Sequence, residues 1–131
     1  MSVAETREFD NQHLQGNNKP VYEKVTAENL EVIGEIPTDI AGHFLRVGPN
    51  PYFVPDESKY HIFDGDGMIH GVHIKAGQAT YRNRFIDSAG LKEERETGHW
   101  KYPGMNMYGA YIAKGEMPDV KNTDNTDMVH H

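Results

Sequence analysis

Two short runs of alternating residues, separated by a tight turn, constrain this chain most. Residues 68–74 and 79–86 flank Ala76-Gly77-Gln78. In the second run the aromatic residues Tyr81 and Phe85 are separated by polar ones, so one face of the run is wet and the other buried. Each run is shorter than an ordinary helix, and glycine supplies the positive φ that a tight turn needs. The pattern therefore predicts a β-hairpin.

Further strand candidates precede the hairpin. Residues 42–48 are a strand candidate that ends at Pro49-Asn50-Pro51, where two prolines cannot donate to a strand ladder. Residues 60–63 lead into Asp64-Gly65-Asp66-Gly67, which predicts another hairpin turn whose aspartates cap backbone N–H groups. Three strands joined by two short turns would form a β-meander. The sequence thus predicts an all-β fold.

The remaining segments are less regular. Residues 1–20 are polar and predict an irregular N-terminal arm. The alternation at Leu30, Val32 and Ile36, interrupted by glycine and proline, favours short strands. The charged residues 92–96 predict a solvated exposed strand or half-turn of helix. Residues 98–115, rich in glycine and aromatic residues, predict a long packed loop.

Composition excludes several classes of protein. A chain of 131 residues is the length of one domain, and its net charge of −7 argues against binding nucleic acid through a broad basic face. The absence of cysteine excludes disulfides and thiolate metal sites. The polar start lacks the apolar segment of a signal peptide, and no apolar run could span a bilayer. These features predict a soluble, cytoplasmic protein.

No complete catalytic motif appears in the chain. Eight histidines are present, but His70 and His73 are three apart on a predicted strand and should point to opposite faces. His61 could approach either one across the hairpin, which gives two metal ligands at most. The run at 64–67 fails the calcium-loop pattern, since Met68, Ile69 and Lys75 occupy the later ligand and glycine positions. Polar surface or core roles are therefore expected for the histidines.

Five blocks of sequence, in order along residues 16–131, resemble the carotenoid cleavage oxygenase family. Its members include carotenoid, apocarotenoid and stilbene dioxygenases. The blocks are Gly16-Asn17 with Pro20-Val21-Tyr22-Glu23, residues 30–37 through Gly42, the run 42–51, the run 60–70, and Tyr81-Arg82-Asn83-Arg84-Phe85 followed by Asn122-Thr123-Asp124-Asn125-Thr126.

The resemblance implies a seven-bladed β-propeller with a non-haem Fe(II) held by four histidines, which glutamates orient. It also implies that O₂ adds across a conjugated carbon–carbon double bond to give two carbonyl products. The first iron ligand of the family lies beyond the Asn-Thr block, so the ligands are expected beyond residue 131, with no metal or catalytic residue in this chain. Residues 21–131 would be the first strands of an incomplete propeller. Residues 128–131 begin what looks like a strand, which suggests truncation.

Two aromatic residues are candidates for the substrate cleft. Phe53, after the Gly-Pro-Asn-Pro turn, matches a cleft aromatic of stilbene-cleaving relatives. Phe85 matches a tyrosine whose hydroxyl helps to bind the substrate phenol there. Because phenylalanine cannot donate that hydrogen bond, the match favours an apolar polyene over a hydroxystilbene. The alternative is that both side chains belong to the core.

The first interpretation is therefore the N-terminal piece of an Fe(II) dioxygenase acting on a carotenoid or apocarotenoid with O₂, itself inactive. The alternatives are a non-catalytic β-rich binding module, a stilbene-cleaving member of the family, and a small histidine-rich metal carrier. Peripheral membrane contact by the whole protein also stays open, since family members often draw apolar substrate from membranes.

Overall fold

One antiparallel sheet organises the chain. The computed structural model describes residues 8–129. Its four strands lie in the order β1-β4-β3-β2, and they are β1 (Thr26–Ala27), β2 (Gly42–Pro49), β3 (Gly67–Lys75) and β4 (Gln78–Phe85). Two helices follow, α1 (Ala89–Thr97) and α2 (Tyr108–Ile112). The predicted antiparallel β architecture is confirmed, with two helices added to it.

The predicted hairpin at Ala76-Gly77 is confirmed. Strands β3 and β4 pair from Met68 with Phe85 to Lys75 with Gln78. The two turn residues have φ values of 51° at Ala76 and 77° at Gly77. Positive φ at both central positions matches the right-handed twist of the flanking strands, which is why this turn closes the hairpin in two residues.

The predicted first strand of the meander is wrong. Strand β3 pairs on its other side with β2, from Gly42 opposite Ile74 to Pro49 opposite Gly67. Residues 60–63 lie outside the sheet, and Ile62–Asp64 form a 3₁₀ helix. The Asp64 carboxylate accepts a hydrogen bond from the backbone N–H of His61 at 3.0 Å, and this local bond competes with strand pairing. The two aspartates therefore do not cap a hairpin.

The predicted short strands around Leu30, Val32 and Ile36 are also wrong. Strand β1 ends at Ala27, and Asn29 follows with a φ of 53°. A left-handed residue redirects the chain away from the sheet. The segment beyond it is irregular, although Leu30 donates one backbone hydrogen bond to Ala79 at 2.9 Å.

Helix α1 occupies the charged segment that was expected to be an exposed strand or half-turn. Its first turn is capped by Ser88, whose hydroxyl accepts from the N–H of Leu91 at 3.2 Å, and it ends at Gly98, where φ is 72°. These are ordinary helix start and stop signals. Leu91 and Glu94 are buried, so the charges of this segment are not all solvated.

The predicted loop at residues 98–115 contains regular pieces. Met105–Met107 form a 3₁₀ helix that leads directly into α2, and the rest is irregular. No helix among residues 8–129 is both long enough and apolar enough to cross a membrane. The predicted strand start at residues 128–131 lies partly outside the described residues, and residues 128 and 129 are not in a strand.

The core consists of two small clusters. Residues 8–20 are irregular apart from the 3₁₀ turns Gln12–Leu14 and Gly16–Asn18, and Phe9 and Leu14 pack with Tyr60. The second cluster joins Met68, Phe85 and Leu91, which connects the sheet to α1. Elsewhere large apolar side chains on β2 face solvent: Phe44 is 66% and Leu45 49% exposed.

Candidate functional site

Three loops meet where β2 ends and β3 begins. They are residues 49–53, residues 64–67 and residues 121–125, and we call them the loop junction. Each loop overlaps one of the sequence blocks that carry the family resemblance, and about 70 residues separate the first loop from the third. Their meeting shows that the blocks specify one local structure.

Asn50 connects the first loop to two other segments. Its backbone N–H donates to the carbonyl of Asp66 at 2.7 Å. Its side-chain Oδ1 accepts from the N–H of Val21 at 2.7 Å, and its Nδ2 donates to the carbonyl of Val21 at 2.8 Å. Asn50 is only 7% exposed, and an amide side chain is the group that can satisfy both backbone partners at once. This residue therefore fixes the turn that precedes Phe53.

Gly67 and Asn125 attach the third loop. The N–H of Gly67 donates to the carbonyl of Thr123 at 2.6 Å, and a Cβ at Gly67 would overlap the carbonyl oxygen of Asp124. The Nδ2 of Asn125 donates to the carbonyl of Gly65 at 2.7 Å. Backbone approaches this closely only where no side chain intervenes, so glycine is required at position 67 by contact with the third loop.

A buried ionic network lies inside the loop junction. The Lys121 ammonium is 2.8 Å from Asp66 Oδ1 and 2.8 Å from Glu94 Oε2, and the exposed fractions of the three side chains are 9%, 2% and 1%. The contact with Glu94 is a hydrogen bond, whereas the one with Asp66 Oδ1 lacks hydrogen-bond alignment. Burial acts to lower the pKa of Lys121, but attraction to both carboxylates outweighs it and the pKa is raised. Lys121 therefore stays charged.

The carboxylate oxygens left over bind backbone. Asp66 Oδ2 accepts from the N–H of Tyr52 at 3.0 Å, and Glu94 Oε1 accepts from the N–H groups of Lys101 at 2.9 Å and Tyr102 at 3.3 Å. Buried charges persist when they are paired and hydrogen-bonded in this way. The network joins α1 to the loop junction, and the sequence interpretation missed it.

A cavity of about 230 Å³ opens beside this network. Three charged residues, Asp64, Glu94 and Lys121, line it together with five aromatic residues, for which we call it the aromatic cavity; these are Phe53, Tyr60, Phe63, Tyr102 and Tyr108. Burial, reinforced by Asp64 and Asp66, raises the pKa of the Tyr60 hydroxyl, and burial with Asp64 also raises that of Tyr108. Both phenols are therefore neutral and present apolar ring faces.

The two predicted cleft residues occupy different places. Phe53 is half-buried and borders the aromatic cavity. Phe85 is 8% exposed and packs in the core with Met68 and Leu91. Tyr52 lies between them, with its ring centroid 5.0 Å from that of Phe53 and 5.5 Å from that of Phe85. The structure thus brings both to Tyr52 without bringing them to one cavity.

The histidines of the described part do not form a metal centre. The rings of His43 and His73 stack at 4.4 Å across β2 and β3. His70 Nδ1 lies 2.7 Å from the hydroxyl of Tyr81. The ring of His61 packs against Phe63, and His61 is not part of a hairpin with His70 or His73. No group of three or more candidate metal ligands occurs within residues 8–129.

Residues 18–131 match the family described as "Retinal pigment epithelial membrane protein". Among curated relatives, carotenoid 9,10(9',10')-cleavage dioxygenase of Crocus sativus is 48% identical over 134 residues, and the enzyme of that name numbered 1 in Phaseolus vulgaris is 39% identical over 133. Each alignment covers 91% of this chain and 24% of the relative. The chain therefore spans about a quarter of the length of these relatives.

Solved structures agree with this assignment. The lignostilbene dioxygenase of Pseudomonas brassicacearum superposes with a TM-score of 0.71 over 93% of this chain and 24% of that chain; at 24% identity this likeness shows the fold. A mutant apocarotenoid oxygenase of Synechocystis is 29% identical and superposes with a TM-score of 0.59 over 65% of this chain and 18% of that one. Because the family match covers residues 18–131, the chain belongs to the carotenoid cleavage oxygenase family.

Proposed function

We propose that this chain is the N-terminal part of an Fe(II)-dependent dioxygenase that cleaves a conjugated carbon–carbon double bond of a carotenoid or apocarotenoid into two carbonyl products. The observation that carries the proposal is the 39–48% identity to carotenoid 9,10(9',10')-cleavage dioxygenases over 91% of the chain. In such a reaction O₂ is the second substrate, and one oxygen atom enters each product.

In this proposal the chain contributes scaffold. Residues 1–20 are the arm, and residues 21–131 supply the first strands of a seven-bladed β-propeller. The single antiparallel sheet, with apolar side chains exposed on β2, supports this because a propeller buries such faces between adjacent blades. Contact of the whole protein with a membrane surface, from which an apolar substrate would be drawn, belongs to the same proposal.

The iron-binding histidines are assigned by the proposal to sequence beyond residue 131. Its support is the chemistry of the described part, where His43, His70 and His73 are each engaged with another ring or hydroxyl and no ligand group forms. Imidazole suits iron, so the proposal takes histidines from elsewhere in the polypeptide as its ligands.

Phe53 and Phe85 take separate roles in the proposal. Phe53 forms part of the cleft wall, supported by its place at the aromatic cavity. Phe85 affects substrate preference because it has no hydroxyl. A site without a hydroxyl that binds the phenol gains no affinity from the phenol of a hydroxystilbene.

The test begins with the DNA that follows codon 131. We expect the reading frame to continue and its complete product, reconstituted with Fe(II), to convert an apocarotenoid into two carbonyl products under O₂. The 131-residue chain assayed in parallel should give none. A stop codon at this position, or a complete product that binds the substrate without cleaving it, would instead identify a binding module.

Two variants of the complete product test the residues. Phe53→Ala should lower kcat/KM for the apocarotenoid about tenfold or more, the cost of removing a large apolar contact from a pocket. Phe53→Leu, which keeps a large apolar side chain at the same position, is the matched control and should retain most of kcat/KM. Phe85→Tyr should improve turnover of a hydroxystilbene relative to the apocarotenoid; an unchanged ratio would remove Phe85 from the proposal.

A further inference from the structure

A second and smaller cavity lies between the N-terminal arm and the ends of β2 and β3. Its volume is about 150 Å³, well below the roughly 300–1,000 Å³ of pockets that hold drug-sized ligands, so it suits a small ion. Four of its lining residues are basic, and within residues 8–129 no aspartate or glutamate lines it; the basic residues are His13, Lys19, Arg46 and His70. Tyr60 lines both this cavity and the aromatic one.

The positive charge in this cavity is not neutralised by the described part of the chain. The ion pairs within residues 8–129 join other side chains, and neither Lys19 nor Arg46 takes part in one. Arg46 stands directly opposite His70 in the β2–β3 ladder, and side chains opposite each other project from the same face of a sheet. A chain whose net charge is −7 thus places two cations, Lys19 and Arg46, at a cavity that no carboxylate of residues 8–129 lines.

The ring of His70, which lines the cavity, is held by a contact with Tyr81. Its Nδ1 is 2.7 Å from the Tyr81 hydroxyl. A neutral imidazole carries one N–H, so donation from the Tyr81 hydroxyl to Nδ1 leaves the proton on Nε2. Burial, aided by the charge of Arg46, lowers the pKa of His70 and favours this neutral form. Tyr81 is therefore the positioning residue for the ring.

We propose that this cavity binds a phosphate-sized oxyanion, with Lys19 and Arg46 supplying charge and the imidazoles of His13 and His70 supplying N–H donors. Charge-assisted hydrogen bonds from several segments are the usual means of holding such an anion. The anion is either free in solution or the headgroup of an anionic phospholipid. The proposal does not depend on the proposed cleavage activity, since the cavity is separate from the aromatic one.

The experiment titrates inorganic phosphate into the complete product of the reading frame, with binding followed by calorimetry and by the ¹H–¹³C resonances of the His70 ring. We expect saturable binding and a shift of the His70 signals. Arg46→Gln should weaken binding about tenfold or more, since it removes a charge-assisted contact. Arg82→Gln is the matched control: Arg82 is also exposed on the sheet but projects from the opposite face, and it should leave binding unchanged.

Vesicles distinguish the two sources of the anion. Co-sedimentation with phosphatidic acid vesicles, absent with pure phosphatidylcholine and lost in Arg46→Gln, would assign a headgroup. Phosphate binding without vesicle binding would assign a free anion. Equal effects of Arg46→Gln and Arg82→Gln would overturn the proposal. So would the absence of both phosphate and vesicle binding, as expected if a carboxylate from the rest of the polypeptide fills the cavity.

Discussion

The loop junction and strand β2 differ in the kind of side chain that each one buries. At the loop junction, charged and amide side chains are buried and matched: Lys121 contacts two carboxylates, and Asn50 satisfies both the N–H and the carbonyl of Val21. On β2, Phe44 and Leu45 are apolar and largely exposed. Polar groups are thus paired inside the chain while apolar side chains are left uncovered.

The difference separates the geometry that the chain defines by itself from the surfaces that it does not cover. Hydrogen bonds and ion pairs are directional, so residues 49–53, 64–67 and 121–125 can define their own geometry. Apolar burial is non-directional and needs area, which a chain spanning a quarter of its relatives does not provide for every face of the sheet. The following experiments test that contrast in the 131-residue chain.

The largest expected effect comes from removing the buried cation. Lys121→Ala leaves the carboxylates of Asp66 and Glu94 buried without their partner, and it should lower the free energy of unfolding by about 3–5 kcal/mol. Urea denaturation measures the loss. Lys101→Ala is the control, because Lys101 pairs with Glu93 at an exposed position where solvent screens the interaction. Similar losses of stability in both variants would contradict the claim that the buried ion pairs of Lys121 stabilise the fold more than an exposed pair does.

A second comparison sets the core against the open face. Leu91→Ala removes a fully buried side chain that packs with Met68 and Phe85, and it should cost about 2–5 kcal/mol. Phe44→Ala truncates a larger side chain that is already 66% exposed, so its effect on urea denaturation should be small. A large loss on Phe44→Ala would show that the face of β2 is covered in the 131-residue chain, for instance by a second copy.

Where local chemistry decides the structure, the sequence predicts it. Strands β3 and β4 follow from alternation and from the turn at Ala76 and Gly77, whose geometry depends on two residues. The prediction fails at residues 60–63, where one carboxylate, Asp64, closes a 3₁₀ turn in what reads as a strand. A single local hydrogen bond is too small a signal to emerge from the pattern of hydrophobic residues.

The candidate site is harder to predict because its partners are distant in sequence. Glu94 and Lys121 are 27 residues apart, and each lies in a segment that reads as ordinary polar surface. One signal was present: Leu91 and Glu94 are three apart on a helix capped by Ser88, which places a carboxylate beside the apolar residue on the buried side. Phe53 could be placed near the loop junction only through the family resemblance.

A side chain added at the close backbone contact of Gly67 should lower the free energy of unfolding by a smaller amount. Gly67→Ala forces a Cβ against the carbonyl oxygen of Asp124, and we expect a loss of about 1–3 kcal/mol as the third loop shifts. Gly109→Ala is the matched control, because nothing lies within 4 Å of its Cβ position and it is in helix α2, where alanine is favoured. The control should be neutral or slightly stabilising; a stable Gly67→Ala would mean that the third loop packs loosely.

The smallest effect expected is a pH dependence from the open side of the sheet. Burial and the charge of Arg46 lower the pKa of His70 below its ordinary value of 6.5. At pH values between 6.5 and that lowered pKa, the unfolded chain binds more protons than the folded chain does. The stability that His70 contributes above pH 6.5 is therefore lost as the pH falls through this range. Urea midpoints of the wild type should therefore decline on acidification, and His70→Gln should reduce the decline. His73→Gln keeps His70 and should retain it. If both variants reduced the decline in urea midpoint equally, the effect would belong to histidines in general. His70, with its contacts to Tyr81 and Arg46, would then have no special part in it.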